Sequence, residues 1–228
     1  AIPLPLAIAL GCLVGIVVGA LNGIVVAYLG VVPFIATLGM QYAVRGVALV
    51  YTGGRPINAL TTAFTNLGKG YAGPIPVPVI IFAIVALISW FFLAKTQFGR
   101  YIYAIGGNEK AALVSGLRVK QLKFLSYVIN GMTAALAGIL LAARVAVGSP
   151  TAGESYDLLA ITAVVVGGTS NAGGTGGILP SIIGVFIVTV MNNGMDLLGI
   201  SGYYQKIVTG VVVLLAVIID RNNVNRNH

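Results

Sequence analysis

The side chains that could do chemistry in this chain are few, and their spacing excludes most reactions. A single histidine, His228, sits at the C-terminus, and a single cysteine, Cys12, lies inside an apolar run. One of each cannot assemble a haem, iron–sulfur or zinc site. No intrachain disulfide can form, and no Ser-His-Asp or Cys-His arrangement can be built. The phosphate-binding pattern Gly-x-x-x-x-Gly-Lys-Ser/Thr is absent, because Lys69 has Ala63 where the first glycine belongs and is followed by Gly70. The run Gly173–Gly177 holds no lysine and fails Gly-x-Gly-x-x-Gly at Leu179. All five carboxylates fall in loops or at the ends of apolar runs. Proton or sodium coupling within a membrane and the acidic ring of a cation channel therefore lack their residues. The chain reads as non-catalytic and cofactor-free, and what remains is a pathway for a neutral polar solute driven by energy from elsewhere.

The elements that would line such a pathway are apolar spans. Of 228 residues, 58% are hydrophobic and 8% charged, with a mean hydropathy of +1.00. A soluble domain carries about 25% charged residues, so this chain lacks charge for a water-facing surface. The expected fold class is all-α, a polytopic transmembrane helical bundle. Residues 4–28, 34–51, 75–94 and 124–147 each approach the ~20 residues needed to cross ~30 Å of hydrocarbon. Residues 52–74 read as a loop, from the turn chemistry of Thr52-Gly53-Gly54-Arg55-Pro56 and Gly73-Pro74. Residues 158–166 and 178–191 are shorter apolar segments around the glycine-rich run 167–177, and residues 207–219 close the bundle. Short segments flanking a glycine-rich break look like broken or re-entrant helices, whose irregular backbone survives only when buried or lining a wet cavity.

The net charge of +8 is concentrated rather than spread. Six of thirteen basic residues, Lys95, Arg100, Lys110, Arg118, Lys120 and Lys123, fall in residues 95–123. That is the pattern of a cytoplasmic loop, not of a nucleic-acid surface, which needs a soluble basic face. With 95–123 and the C-terminal tail both cytoplasmic, an even number of crossings must join them; the four segments after residue 123 satisfy this if each short one crosses. Glu154, Asp157 and Asp196 then lie outside, as do residues 52–74. Arg45 and Arg144 sit toward span ends, where snorkelling to the interface and a role in the pathway are both open. No charged n-region or cleavage site precedes the first span, so a signal peptide is not expected.

Gly11, Gly15, Gly19 and Gly23 recur every four residues along one helical face, the pattern of a small-residue seam between helices. Within the basic segment, Asn108 can cap a helix, Glu109 suits its positive N-terminal end, and Gly116 can close it in a left-handed conformation. The helix expected at 109–115 is marginal alone in water. It is either a solvated connector or a docking helix for a cytosolic partner.

Gly99-Arg100-Tyr101-Ile102-Tyr103-Ala104-Ile105-Gly106-Gly107-Asn108, followed by Ala111-Ala112-x-x-x-Gly116, resembles the cytoplasmic coupling loop of permease subunits in bacterial sugar ABC importers. This is the family of ribose, xylose, arabinose and galactoside permeases. Pro33-Phe34-Ile35-Ala36-Thr37-Leu38-Gly39-Met40 with Arg45-Gly46, Val166-Gly167-Gly168-Thr169-Ser170 with Gly173-Gly174, and Asn192-Asn193-Gly194 near the last outer loop resemble further family segments. Two departures stand out. Lys110 occupies the glutamate position of the broader Glu-Ala-Ala-x-x-x-Gly signature, and the family's upstream helices are not seen, so a C-terminal portion of a longer permease is expected.

The resemblance implies one transmembrane permease domain over 1–228, with a coupling loop at 95–123, in the bacterial plasma membrane. It implies three protein partners in a lipid bilayer: a cytosolic ABC ATPase, an extracytoplasmic sugar-binding protein, and a second permease subunit, identical or not. ATP hydrolysis would belong to the ATPase. Gly99, Arg100, Asn108, Glu109, Ala111, Ala112 and Gly116 are the coupling candidates. Sugar hydroxyls need uncharged hydrogen-bonding groups, which makes Thr37, Gln41, Asn58, Asn171, Asn192 and Asn193 candidates for the pathway. Each of these could instead bond a neighbouring helix. A secondary transporter or channel for a neutral solute, and a structural membrane-assembly subunit, are the rival functions.

Overall fold

The computed structural model describes residues 3–58 and 60–226; His228 lies outside them. The described residues are helical almost throughout, and among them five helices are long and apolar enough to cross a membrane. Large apolar side chains point outward in number: Leu13, Val14, Val47, Leu87 and Val190 are all at least half exposed. No residue of helix Val77–Lys95 is buried. Such a surface fits hydrocarbon and not water. The chain is a multi-pass integral membrane protein.

Two compact units divide it, Ala1–Val85 with Arg118–Gly153 and Ala86–Leu117 with Glu154–His228. The first holds α1 (Leu4–Gly23), which runs into a five-residue π-helical segment Ile24–Tyr28, then α2 (Pro33–Thr52) and α3 (Thr62–Lys69). A two-residue hairpin, β1 (Tyr71–Ala72) and β2 (Ile75–Pro76), leads into α4 (Val77–Lys95). Prolines begin α1 and α2, where their missing N–H is not needed. The second unit holds α5 (Gln97–Gly107) and α6 (Glu109–Val114). After α7 (Val119–Val145), which belongs to the first unit, it resumes with α8 (Tyr156–Val166), α9 (Ile178–Leu197) and α10 (Gly202–Arg226).

In the first unit, α1 packs antiparallel on α7, and its glycines lie on the contact. A Cβ at Gly19 would stand 2.5 Å from the Tyr127 carbonyl oxygen, and one at Gly15 would stand 2.5 Å from the Ala135 Cβ. Gly11 and Gly23 meet Ile139 and Phe124 at 2.9 Å, and Gly131 of α7 faces Gly15 and Gly19 in return. Four glycines thus match one face of α7 from Ile139 back to Phe124, where Tyr28 adds an edge-on ring contact at 6.1 Å. Helix–helix contact in lipid depends on such close packing, since lipid tails are as apolar as the side chains.

The span boundaries depart from the pattern reading in three places. Residues 52–74 are not a plain loop. Phe64, Leu67 and Gly68 share one face of α3, and Gly68 is pressed on the backbone of Ala143 and Arg144 at the end of α7. Eight residues with one apolar stripe are too few to register as a span, yet enough to cover a helix end. Residues 95–123 are largely helical, because Thr96 caps α5 through its hydroxyl oxygen, which accepts from the Gly99 N–H at 3.4 Å. Finally, the segment expected to end at 191 carries on through Asn192, Asn193 and Gly194, so that α9 reaches Leu197 before the turn that follows.

In the second unit, α8 and α9 form an antiparallel pair. The Gly167 backbone meets Pro180 and Ser181, and Gly184 meets the Ala163 carbonyl and Gly167. Thr162, Ala163, Val165 and Val188 are buried in or beside this contact. α8 has 11 residues, about 16 Å at 1.5 Å rise, and so covers about half the hydrocarbon thickness. Its path continues as the irregular backbone of 167–177.

In the full-length protein, Gly15→Leu or Gly131→Leu is expected to lower the thermal midpoint in detergent by several degrees or to prevent assembly. Gly39→Leu and Gly46→Leu, where an added Cβ meets nothing within 4 Å, are expected to leave the midpoint within a degree or two of wild type. Fluorescence-detected thermal unfolding measures both.

Candidate functional site

α6 is a six-residue helix with both ends satisfied. The Asn108 side-chain oxygen accepts from the Ala111 N–H at 3.0 Å, which pairs one of the orphan donors of the first turn. At the other end Gly116 has φ +82°. Its N–H bonds the Leu113 carbonyl at 3.0 Å, and the Leu117 N–H bonds the Ala112 carbonyl at 3.1 Å. That pair of bonds is a Schellman closure, which needs a left-handed residue and therefore favours glycine. Ala112 is buried, whereas Leu113 is 63% and Val114 90% exposed. α6 is thus a capped helix that presents two apolar side chains outward, flanked by basic residues.

α5 ties this helix to the glycine-rich break. Gly99 is buried at the turn from α4 into α5, so close to Leu93 that a side chain there would overlap the Leu93 carbonyl. At the far end, the Tyr103 hydroxyl donates to the Gly176 carbonyl oxygen at 3.0 Å. A Cβ at Gly106 would stand 2.5 Å from the Gly174 nitrogen, and one at Gly174 would stand 2.8 Å from the Gly107 Cα. Gly173 and Gly174 hold φ of +95° and +79°, so only glycine answers both the close approach and the backbone conformation. The break has its own bonds as well, from Ser170 N–H to the Thr175 carbonyl at 3.2 Å and from Thr169 N–H to the Val164 carbonyl at 3.1 Å. It is ordered irregular backbone clamped between α5 and the α8–α9 pair.

The residues singled out for coupling therefore fall along one continuous stretch. Gly99 sits at its root, Arg100 is exposed on α5, and Asn108, Glu109, Ala111, Ala112 and Gly116 make or bound α6. The pathway candidates are scattered. Thr37 and Gln41 stand one turn apart on α2, with the Thr37 hydroxyl bonded to the Pro33 carbonyl of its own helix. Asn58 is exposed beside the Ile57–Gly148 bridge. Asn171 is exposed in the break, while Asn192, half-buried, and Asn193, exposed, lie near the other end of α9. Sequence reasoning missed Tyr103 and Gly106 as contact-making residues and Leu113 and Val114 as exposed apolar side chains. The only local signal for them was the helical spacing of Tyr103 and Gly106 ahead of Asn108.

Comparison with known proteins places these elements in a context. A family model described as branched-chain amino acid transport system / permease component matches residues 1–217. The chain is 50% identical over 202 residues to the ribose import permease protein RbsC of Bacillus subtilis, covering 88% of this chain and 63% of that protein. It is 48% identical over 218 residues to RbsC of Escherichia coli, covering 94% and 68%. It is 40% identical over 211 residues to the D-allose transport system permease protein AlsC of Escherichia coli, covering 92% and 65%. The chain thus spans about two thirds of the length of these relatives. No solved structure matches it.

Gly106→Leu is expected to drive α5 off the break and to raise protease cleavage within 167–177 severalfold in the purified full-length protein. Gly107→Leu, whose added Cβ meets nothing within 4 Å, is expected to leave the cleavage pattern unchanged.

Proposed function

The chain belongs to the branched-chain amino acid transport system / permease component family, and from that membership we propose that it forms the translocation pathway of an ATP-driven sugar importer in the bacterial plasma membrane. The relatives named for ribose and D-allose support a pentose- or hexose-type sugar as cargo. A cytosolic ABC ATPase supplies the energy, an extracytoplasmic binding protein delivers the sugar, and a second permease subunit completes the pathway. The chain itself performs no catalysis.

The observation that carries this reading is α6. Six residues closed by an asparagine cap and a glycine C-terminus gain nothing from helix propensity alone. The exposed Leu113 and Val114 give a partner an apolar anchor of the helix-in-groove kind, and the surrounding bases support a cytoplasmic position for it. In this mechanism the ATPase grips α6, and closure of the ATPase pair displaces it. α5 carries the displacement to the break through the Tyr103 hydroxyl bond and the Gly106 contact. The break in turn lies against α8 and α9, so the two helices shift together, and the pathway opens to one side or the other. Coupling roles follow for Gly99 and Arg100 on α5 and for Asn108, Glu109, Ala111, Ala112 and Gly116 around α6.

Purification of the full-length protein in mild detergent is expected to recover a stoichiometric ATPase that is lost when Leu113 and Val114 are both replaced by Asp. Uptake should collapse on ATP depletion and survive dissipation of the proton gradient. The opposite pattern, with no ATPase recovered, identifies a secondary transporter, and absence of any solute movement in vesicles identifies an assembly subunit. Gly116→Val places a β-branched residue in a left-handed position at a cost of ~1–2 kcal/mol. It is expected to cut uptake by roughly five- to thirtyfold with membrane insertion intact, whereas Gly116→Asn keeps most of it.

A further inference from the structure

At the end of α9 away from the break, the second unit forms a half-open cavity of about 720 Å³ between the start of α8, α9 and the first half of α10. Its polar lining comes from Glu154, Ser155, Asn192, Gln205, Lys206 and Thr209, and leucines of α8 with Val213 contribute apolar surface. In a chain with only five acidic and thirteen basic residues, one of each borders the same space.

The hydrogen-bonding state of these groups is unusual for a membrane helix pair. Thr37, Thr133 and Thr162 each turn the hydroxyl back to a carbonyl one turn earlier in their own helix. Thr209 makes no such bond, and neither the Asn192 amide nor the Lys206 ammonium has a partner among the described residues. The Gln205 Nε2 donates to Asp196 Oδ1 at 2.7 Å and to the Ile200 carbonyl at 2.9 Å. Both amide hydrogens are thereby used, the orientation is set, and the amide oxygen is left to accept. Asn192, Gln205 and Thr209 are half-buried, and their side chains line the cavity, open to a molecule seated there.

Their chemistry selects an occupant. Donors and acceptors alternate on mixed apolar and polar walls, and a sugar offers the complement: hydroxyls that each donate and accept, and C–H faces that need apolar contact. An apolar molecule would leave Asn192 and Thr209 unsatisfied. A divalent cation lacks its ligands, since no group of three or more His, Cys, Asp or Glu side chains occurs among the described residues. An anion would meet the Glu154 carboxylate beside the single Lys206. The volume lies within the ~300–1,000 Å³ of small-molecule sites. Asn192 stands fourteen residues beyond Ile178, about 21 Å along the helix axis. The cavity and the α5 contact therefore occupy opposite ends of one rigid rod.

We propose that this cavity is a binding station for an uncharged monosaccharide, with Asn192, Lys206 and Thr209 grasping its hydroxyls at the extracytoplasmic end of the pathway. The proposal rests on the importer reading and adds to it a place where sugar is held. α9 would link that place to the glycine-rich break and, through it, to the coupling segment.

The test uses the full-length permease with its ATPase and binding protein in proteoliposomes, in a background otherwise free of cysteine. Thr209→Cys is labelled with a maleimide in the presence and absence of saturating D-ribose or D-allose, with Leu198→Cys, 78% exposed, as the control. Sugar is expected to slow labelling at 209 severalfold and to leave 198 unchanged. Asn192→Ala and Thr209→Val are each expected to lower uptake about two- to tenfold while the complex purifies intact. ATP-dependent uptake by the unaltered protein, with no protection at 209 and normal uptake in both variants, overturns the cavity assignment and leaves the importer standing. Absence of ATP-dependent uptake of either sugar overturns the importer reading and the station with it.

Discussion

Close approach of one backbone to another at glycine is the interaction on which this structure depends. In hydrocarbon, apolar side chains gain nothing by leaving lipid for each other, so helices hold together only where surfaces fit tightly. Gly15 and Gly19 against Gly131 join α1 to α7, Gly68 seats α3 on the end of α7, and Gly167 and Gly184 join α8 to α9. Gly106 against Gly173 and Gly174 seats α5 on the break. At each of these places a single methyl group would collide with main-chain or packed side-chain atoms. Of the 31 glycines in the chain, 14 stand where an added Cβ would come within 3.0 Å of another atom.

The same constraint shapes the functional elements. Irregular backbone at membrane depth must satisfy its polar groups internally, and the break does so through its own turns and the Tyr103 hydroxyl. Because that hydroxyl and the Gly106 contact belong to α5, the groups that make the break tolerable also connect it to α6. A glycine contact transmits displacement well, since backbone pressed on backbone has no side-chain rotamers to absorb the motion.

α9 extends this logic along its own length. Its first half is packed on α8 through Gly184, and its second half carries Asn192 and ends in a turn held by the Gln205–Asp196 hydrogen bond. A continuous helix of 20 residues moves as a unit, so a shift applied at Ile178 is felt at Asn192. The polar residues that interrupt its apolar pattern do not end it, because α10 and the start of α8 supply a polar environment beside them.

Much of this was legible in the order of residues. Apolar length identified the crossing helices, since spanning hydrocarbon is a constraint on composition alone. The basic segment, the Asn108 cap and Gly116 are local features, set by hydrogen bonds within one turn, and they were readable as such. Four glycines at a four-residue spacing announced a seam, because helical periodicity is local too. What the sequence could not state was the partner of each surface. That α7 receives the seam, that Tyr103 reaches Gly176 across 73 positions, and that α3 covers a helix end are long-range facts, decided by which backbones can approach most closely. Asn192 and Asn193 fell just past the apolar segment 178–191 because polarity, read one residue at a time, carries no information about neighbours. Only the tertiary structure put Asn192 on a helix beside Thr209 and Lys206, where polar side chains from α9 and α10 could face a common space.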